Sequence, residues 1–172
     1  NDIAVAKSGK IKKYSDIDIL VKSLMIAVKK WTKDNKINSA QDNTLSSYTW
    51  INLVIFYLQC IGFVPNLQCP KLMRACNHEM GWGKSKRWQD NINNLNTAYL
   101  KWNGQADRVW QRPQSVDETY ASVSLLLYGF FRFYAHDFPI HMNLVSIKRG
   151  GNIRLPKTMF TDRASLHLCI ED

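Results

Sequence analysis

Residues 44–59, TLSSYTWINLVIFYLQ, run a cluster of hydroxyl side chains directly into an apolar stretch with little polar relief. The pattern predicts a helix. Thr44 or Ser46 supplies a side-chain oxygen for the orphan amides of a first turn, and Gly62 with Pro65 beyond it ends the run. Apolar residues occupy nearly every side, so the helix is expected to be buried, with its first turn at the rim of a core. Asn52 and Gln59 interrupt the run and Gly62 stops it, too soon and too polar for a membrane span.

Upstream, Ile17, Leu20, Val21, Leu24, Val28 and Trp31 recur at spacings of three and four, which predicts an amphipathic helix over 14–34 capped by Ser15 or Asp16. The other face carries Lys22, Lys29 and Lys33. The last two stand four residues apart, where like charges repel unless an anion lies between them. Two readings of these features stand side by side. In one, the ammonium groups reach into water, Thr44 and Ser46 only cap and Tyr48 only packs. In the other, the hydroxyls and the helix dipole hold phosphate oxygens, Tyr48 offers a flat face to a base, and Lys29 and Lys33 balance the remaining charge.

Downstream, 66–119 changes to a texture of Asn, Lys, Gly and Trp, in which Trp88, Ile92, Leu95, Tyr99 and Trp102 predict one further helix. QRPQS breaks it. Residues 120–134 predict another apolar helix, with Ser122 as cap and Gly129 where a neighbouring backbone comes close. LVSIK and IRL, joined by RGGN, predict a basic β-hairpin, and RASLHLCIED a short extended or helical piece. The fold class is therefore mainly α, an α+β arrangement with a short hairpin.

The 172 residues hold 23 Lys and Arg against 14 Asp and Glu, a net charge of +9, for which a polyanion is the natural partner and a generally solvated basic surface the bland alternative. Four irregularly spaced cysteines point to reduced thiols in a cytosolic setting. Cys69, Cys76 and His78 do not form a recognised zinc spacing and lack a fourth ligand, so no metal site is expected. Neither an initiator Met nor a signal pattern opens the sequence, which reads as a fragment.

Taken together, NDIAVAKS, VKKWTKDNKIN, TLSSYTWINLVIFYLQ, FVPNLQ, SVSLLLYGFFRFYAHDF and LCIED resemble the terminal uridylyltransferases and template-independent poly(A) polymerases of the DNA polymerase beta-like nucleotidyltransferase superfamily. The resemblance implies a helical central domain without its catalytic sheet domain. Residues 1–13 would end the link from that catalytic domain, 14–65 begin the central domain, 66–119 form a variable insertion, and 120–172 the poly(A)-polymerase-associated region. The nucleotide would lie in the cleft between the two domains. By the same resemblance Asn1 contacts the nucleotide sugar, Lys29 and Lys33 hold the triphosphate, Ser47 contacts phosphate and Tyr48 stacks on the base. Similar enzymes read Asn-x-x-Ala-x-x-Asn-Thr in the first motif. Here Lys7 and Ser8 fill the last two places, and Ser8 keeps a hydroxyl. Asp172 matches the first acid of the nucleotide-recognition loop.

The implied activity is addition of nucleotides from UTP or ATP to an RNA 3′ end with Mg2+ or Mn2+. The metal-binding acids lie upstream of Asn1 in the family, so no catalytic or metal residue is expected in this chain, and the isolated chain is expected to be inactive. The implied protein is a cytoplasmic monomer, with a nuclear place as the alternative, whose partners are RNA and a nucleoside triphosphate. A catalytically inactive relative that keeps the cleft as a nucleotide- or RNA-binding module is the alternative.

Overall fold

A computed structural model describes residues 14–69, 72, 110, 112–151, 155–156 and 170–171. Helix α1 (Tyr14–Asp34) follows the expected bounds, with Asp16 in its first turn and Lys33 in its last, as the helix dipole favours. Its apolar stripe buries Leu24 and Val28 completely. A short 3-10 turn (Ala40–Asp42) ends on Asn43, whose left-handed backbone (φ 57°) turns the chain into helix α2 (Ser47–Cys60). As its composition requires, α2 is the central element. It buries Leu53, Val54, Phe56, Tyr57 and Leu58, all at 3% exposure or less.

Helix α3 (Gln114–Thr119) is a single short turn that leads into α4 (Val123–Arg132). Ser122 caps α4, its hydroxyl accepting from the Leu125 amide at 3.3 Å. Leu126 and Phe130 face inward from α4 onto α1 and α2. Where the sequence predicted an ending, the helix instead widens into a π-turn (Phe133–Asp137), closed by the Phe138 amide donating to the Phe133 carbonyl at 2.8 Å. The widening is held from outside. The Tyr134 hydroxyl donates to the Leu53 carbonyl of α2 at 2.7 Å, and Phe133 stacks on Phe138 at 5.4 Å.

A small sheet completes the described residues in the order β2-β1-β3. Strand β1 (Asn143–Ser146) pairs antiparallel with β2 (Leu155–Pro156) and parallel with β3 (Ile170–Glu171). The hairpin is thus present, and the last segment is extended at 170–171. The link is not a tight two-residue turn, because Leu144 pairs with Leu155 across a wide loop. The glycines serve another purpose: Gly150 takes a left-handed backbone (φ 80°), and Gly151 lies so close to the Cys60 backbone that a Cβ would collide with it. Three hydrogen bonds fasten this loop to the end of α2 and to the segment after it: Gln59 Nε2 to the Ile147 carbonyl (3.3 Å), Cys60 Sγ to the Gly151 carbonyl (3.4 Å) and Asn66 Nδ2 to the Lys148 carbonyl (2.9 Å). The helix expected over 88–102 lies outside the described residues, as do Cys76 and His78.

Candidate functional site

The hydroxyl cluster before α2 divides into three tasks. Ser46 is the cap: its backbone is extended (φ −68°, ψ 158°), its hydroxyl accepts from the Thr49 amide at 3.1 Å, and the Thr49 hydroxyl lies 2.9 Å from it. Thr44, the other candidate cap, is engaged elsewhere. Its hydroxyl accepts from the Ser39 amide at 2.8 Å and donates to the Ser39 carbonyl at 2.9 Å, closing the turn that precedes α2. Ser47 remains. Asn38 Nδ2 approaches its oxygen at 3.5 Å, the outer limit of a hydrogen bond, so the Ser47 hydroxyl keeps its proton for another acceptor.

Tyr48 follows, 62% exposed, at the mouth of a groove of about 570 Å³. One wall is α1, through Ile17, Asp18 and Val21. The other is a stripe of α2 running from Tyr48 through Asn52 and Ile55 to Gln59. Ile147, just beyond β1, lies at the far end, toward which the β1–β3 register advances.

The last turns of α1 are drawn to the first turns of α2 by two tryptophans. The rings of Trp31 and Trp50 meet edge to face at 5.8 Å, and Trp50 Nε1 donates to the Ile37 carbonyl at 2.9 Å. Lys29 and Lys33 are exposed, and among the described residues neither forms an ion pair, whereas Lys30 pairs with Asp34 at 2.9 Å. Lys29 follows Asp18 by eleven residues, about 20° around the helix, and Lys33 is about 40° further. Both stand in the last turns of α1, the part whose Trp31 meets Trp50 of α2, and neither lines the groove itself. Asn1, Ser8 and Asp172 lie outside the described residues.

A cation that does line the groove, Arg112, has other work. Arg112 Nη1 holds the Asp117 carboxylate at 2.6 Å, its Nε donates to the Phe63 carbonyl at 3.0 Å, and its guanidinium lies over the Phe63 ring at 4.6 Å. It fastens the segment after α2 to α3.

Two carboxamides on the α2 side of the groove stand among Tyr48, Ile51 and Ile55. Gln59, 6% exposed, uses its nitrogen on Ile147 and leaves Oε1 unpartnered. Asn52, 4% exposed, makes no side-chain hydrogen bond among the described residues. A buried polar atom without a partner, as Gln59 Oε1 is, costs about 1–3 kcal/mol. Sequence reasoning noticed Asn52 only as an interruption of an apolar run. Its spacing of four from Tyr48 was the available signal.

Among the described residues no group of three His, Cys, Asp or Glu side chains could hold a metal ion, and no helix is long and apolar enough to cross a membrane.

Residues 122–172 match the family described as Cid1 family poly A polymerase. The chain is 29% identical over 152 residues to terminal uridylyltransferase cid1 of Schizosaccharomyces pombe, covering 87% of this chain and 32% of that protein. To poly(A) RNA polymerase GLD2-B of Xenopus laevis it is 26% identical over 172 residues, covering 100% of this chain and 30% of that protein. The structure of Cid1 in complex with the UTP analog UMPNPP superposes with a TM-score of 0.58 at 25% identity, covering 92% of this chain and 45% of that one. The chain thus spans about a third of the length of the curated relatives it matches.

Proposed function

As the chain belongs with the terminal uridylyltransferases and template-independent poly(A) polymerases, we propose that it is the nucleotide-binding helical part of an enzyme adding nucleotides to RNA 3′ ends. The observation that carries the reading is an exposed aromatic ring on the groove, preceded by a hydroxyl with its proton available, with two exposed ammonium groups on α1 that form no ion pair among the described residues. Each part has a chemical use. Tyr48 stacks on the base, a contact that contributes on the order of 1–3 kcal/mol. Ser47 donates to a phosphate oxygen at a helix N-terminus, where the dipole favours an anion. Lys29 and Lys33 offset charge on the outer phosphates and hold the triphosphate for attack by the RNA 3′ hydroxyl. Asn1, Ser8 and Asp172 complete the proposed contacts from the two ends of the chain.

Mg2+ or Mn2+, held by residues other than those described, would stabilise charge on the triphosphate. The substrate is UTP or ATP. The domain limits proposed are 1–13 for the link, 14–65 for the first part of the central domain, 66–119 for an insertion and 120–172 for the poly(A)-polymerase-associated region. A cytoplasmic setting belongs to the same reading.

The test is Lys33→Ala in the full-length enzyme. kcat/KM for the nucleotide is expected to fall about 10- to 100-fold, with RNA affinity unchanged. Unchanged nucleotide kinetics would remove the triphosphate role and the reading with it.

A further inference from the structure

Asn52 lies one helical turn beyond Tyr48 on the same stripe of α2 and lines the same groove, next to Ile51 and Ile55. At 4% exposure it is buried as deeply as the core leucines around it, yet among the described residues its carboxamide has no hydrogen-bond partner. In an α-helix a side chain leans toward the turn N-terminal to it, so Asn52 leans toward the Tyr48 ring. The amide offers one donor and one acceptor side by side. That pair is complementary to a nucleobase edge: N3–H beside O4 in uracil, or the N6 amine beside a ring nitrogen in adenine.

We propose that Asn52 binds the hydrogen-bonding edge of the nucleobase that stacks on Tyr48. This rests on the groove being a nucleotide pocket and adds a residue to it. Aromatic stacking accepts any base, because every base presents a π-face. A carboxamide at the edge of the stack fixes how far the base is inserted and how it is rotated in its plane. Asn52 lines the groove, where a bound base would supply its amide with a partner.

The experiment uses the full-length protein, with UTP and ATP as substrates and inorganic tripolyphosphate as a competitive inhibitor that carries no base. Asn52→Leu is expected to fold, since it places an apolar side chain of similar size in an apolar wall. It should raise KM for the better nucleotide about 5- to 100-fold and leave the inhibition constant of tripolyphosphate unchanged. Asn52→Ala gives the same split if the leucine variant does not fold. An unchanged KM overturns the proposal. So does an equal weakening of nucleotide and tripolyphosphate, which marks a displaced helix instead of a lost base contact. Tyr48→Ala separates the two levels. If it raises KM while Asn52→Leu does not, only the role of Asn52 fails, whereas if Tyr48→Ala has no effect the nucleotide pocket itself is wrong.

Discussion

At Gly129 a missing side chain makes room for the Tyr57 hydroxyl. A Cβ there would overlap Tyr57 Oη and stand 3.0 Å from Tyr120 Cε1, so the close neighbour is a side chain where the sequence suggested a backbone. Gly129→Ala should cost about 1–3 kcal/mol in urea unfolding, the usual penalty for overpacking. Tyr57→Phe removes that hydroxyl, which is buried without a partner, and should itself be close to neutral. The two changes together should recover part of the Gly129→Ala loss, and strict additivity would show that the overlap is not the cause. Burial holds the Tyr57 phenol, with help from nearby Tyr120, and the Tyr134 phenol above the ordinary value near 10. A phenol whose folded pKa is raised binds its proton more tightly when folded, so this stability is complete below pH 10 and falls as pH rises beyond it. Thermal scans should therefore show Tm dropping above pH 10, less steeply in Tyr57→Phe. None of this was visible in the sequence, which shows that tyrosines are numerous but not which of them lose contact with water.

The helices were legible for reasons local to each. In α1 the apolar residues repeat at three and four, and in α2 and α4 a hydroxyl residue precedes an apolar run, with Ser46 and Ser122 capping as their positions suggest. What escaped was set by distant partners. Thr44 looks as good a cap as Ser46, but Ser39 claims it, and the π-turn after α4 arises from Tyr134 reaching the Leu53 carbonyl, 81 residues away in sequence. The candidate site was legible in the same uneven way. The order of Ser47 and Tyr48 on a helix start could be read directly, whereas the bracing of α1 against it by Trp31 and Trp50 required tertiary contact. Adjacent serines now separate capping from binding. Ser46→Ala should destabilise by about 1 kcal/mol, because the Thr49 amide loses its acceptor. Ser47→Ala should leave stability within about 0.5 kcal/mol and raise nucleotide KM in the full-length enzyme. If Ser47→Ala destabilises while leaving KM unchanged, its hydroxyl is structural and the phosphate contact is lost from the account.

Over the whole chain the net charge is +9, and three ion pairs are seen among the described residues. Lys30 with Asp34 and Arg112 with Asp117 are close pairs, while Arg132 and Asp137 stand 3.9 Å apart with both side chains more than half exposed. Exposed pairs of the first and last kind contribute little to folding, and a large excess of one sign costs the compact state through self-repulsion. A polyanion partner would relieve that repulsion, and an RNA strand fits both the charge and the relatives' reaction. The two uses of charge are separable. In the proposed reading Lys29 and Lys33 meet a compact triphosphate, whereas the diffuse excess would meet a strand by displacing its counterions, an effect that scales with the number of phosphates met. If the full-length protein meets about five RNA phosphates, its affinity for single-stranded RNA should fall about 100-fold between 50 and 200 mM salt, from a slope of roughly −0.7 per contact. Titration of a labelled oligonucleotide at several salt concentrations measures that slope. The Lys33→Ala protein should show the same slope as the wild type, because its lysine meets the nucleotide and not the strand. A slope near zero would mean that the excess charge only keeps the surface solvated, and a slope lowered by Lys33→Ala would move that side chain from the nucleotide to the RNA.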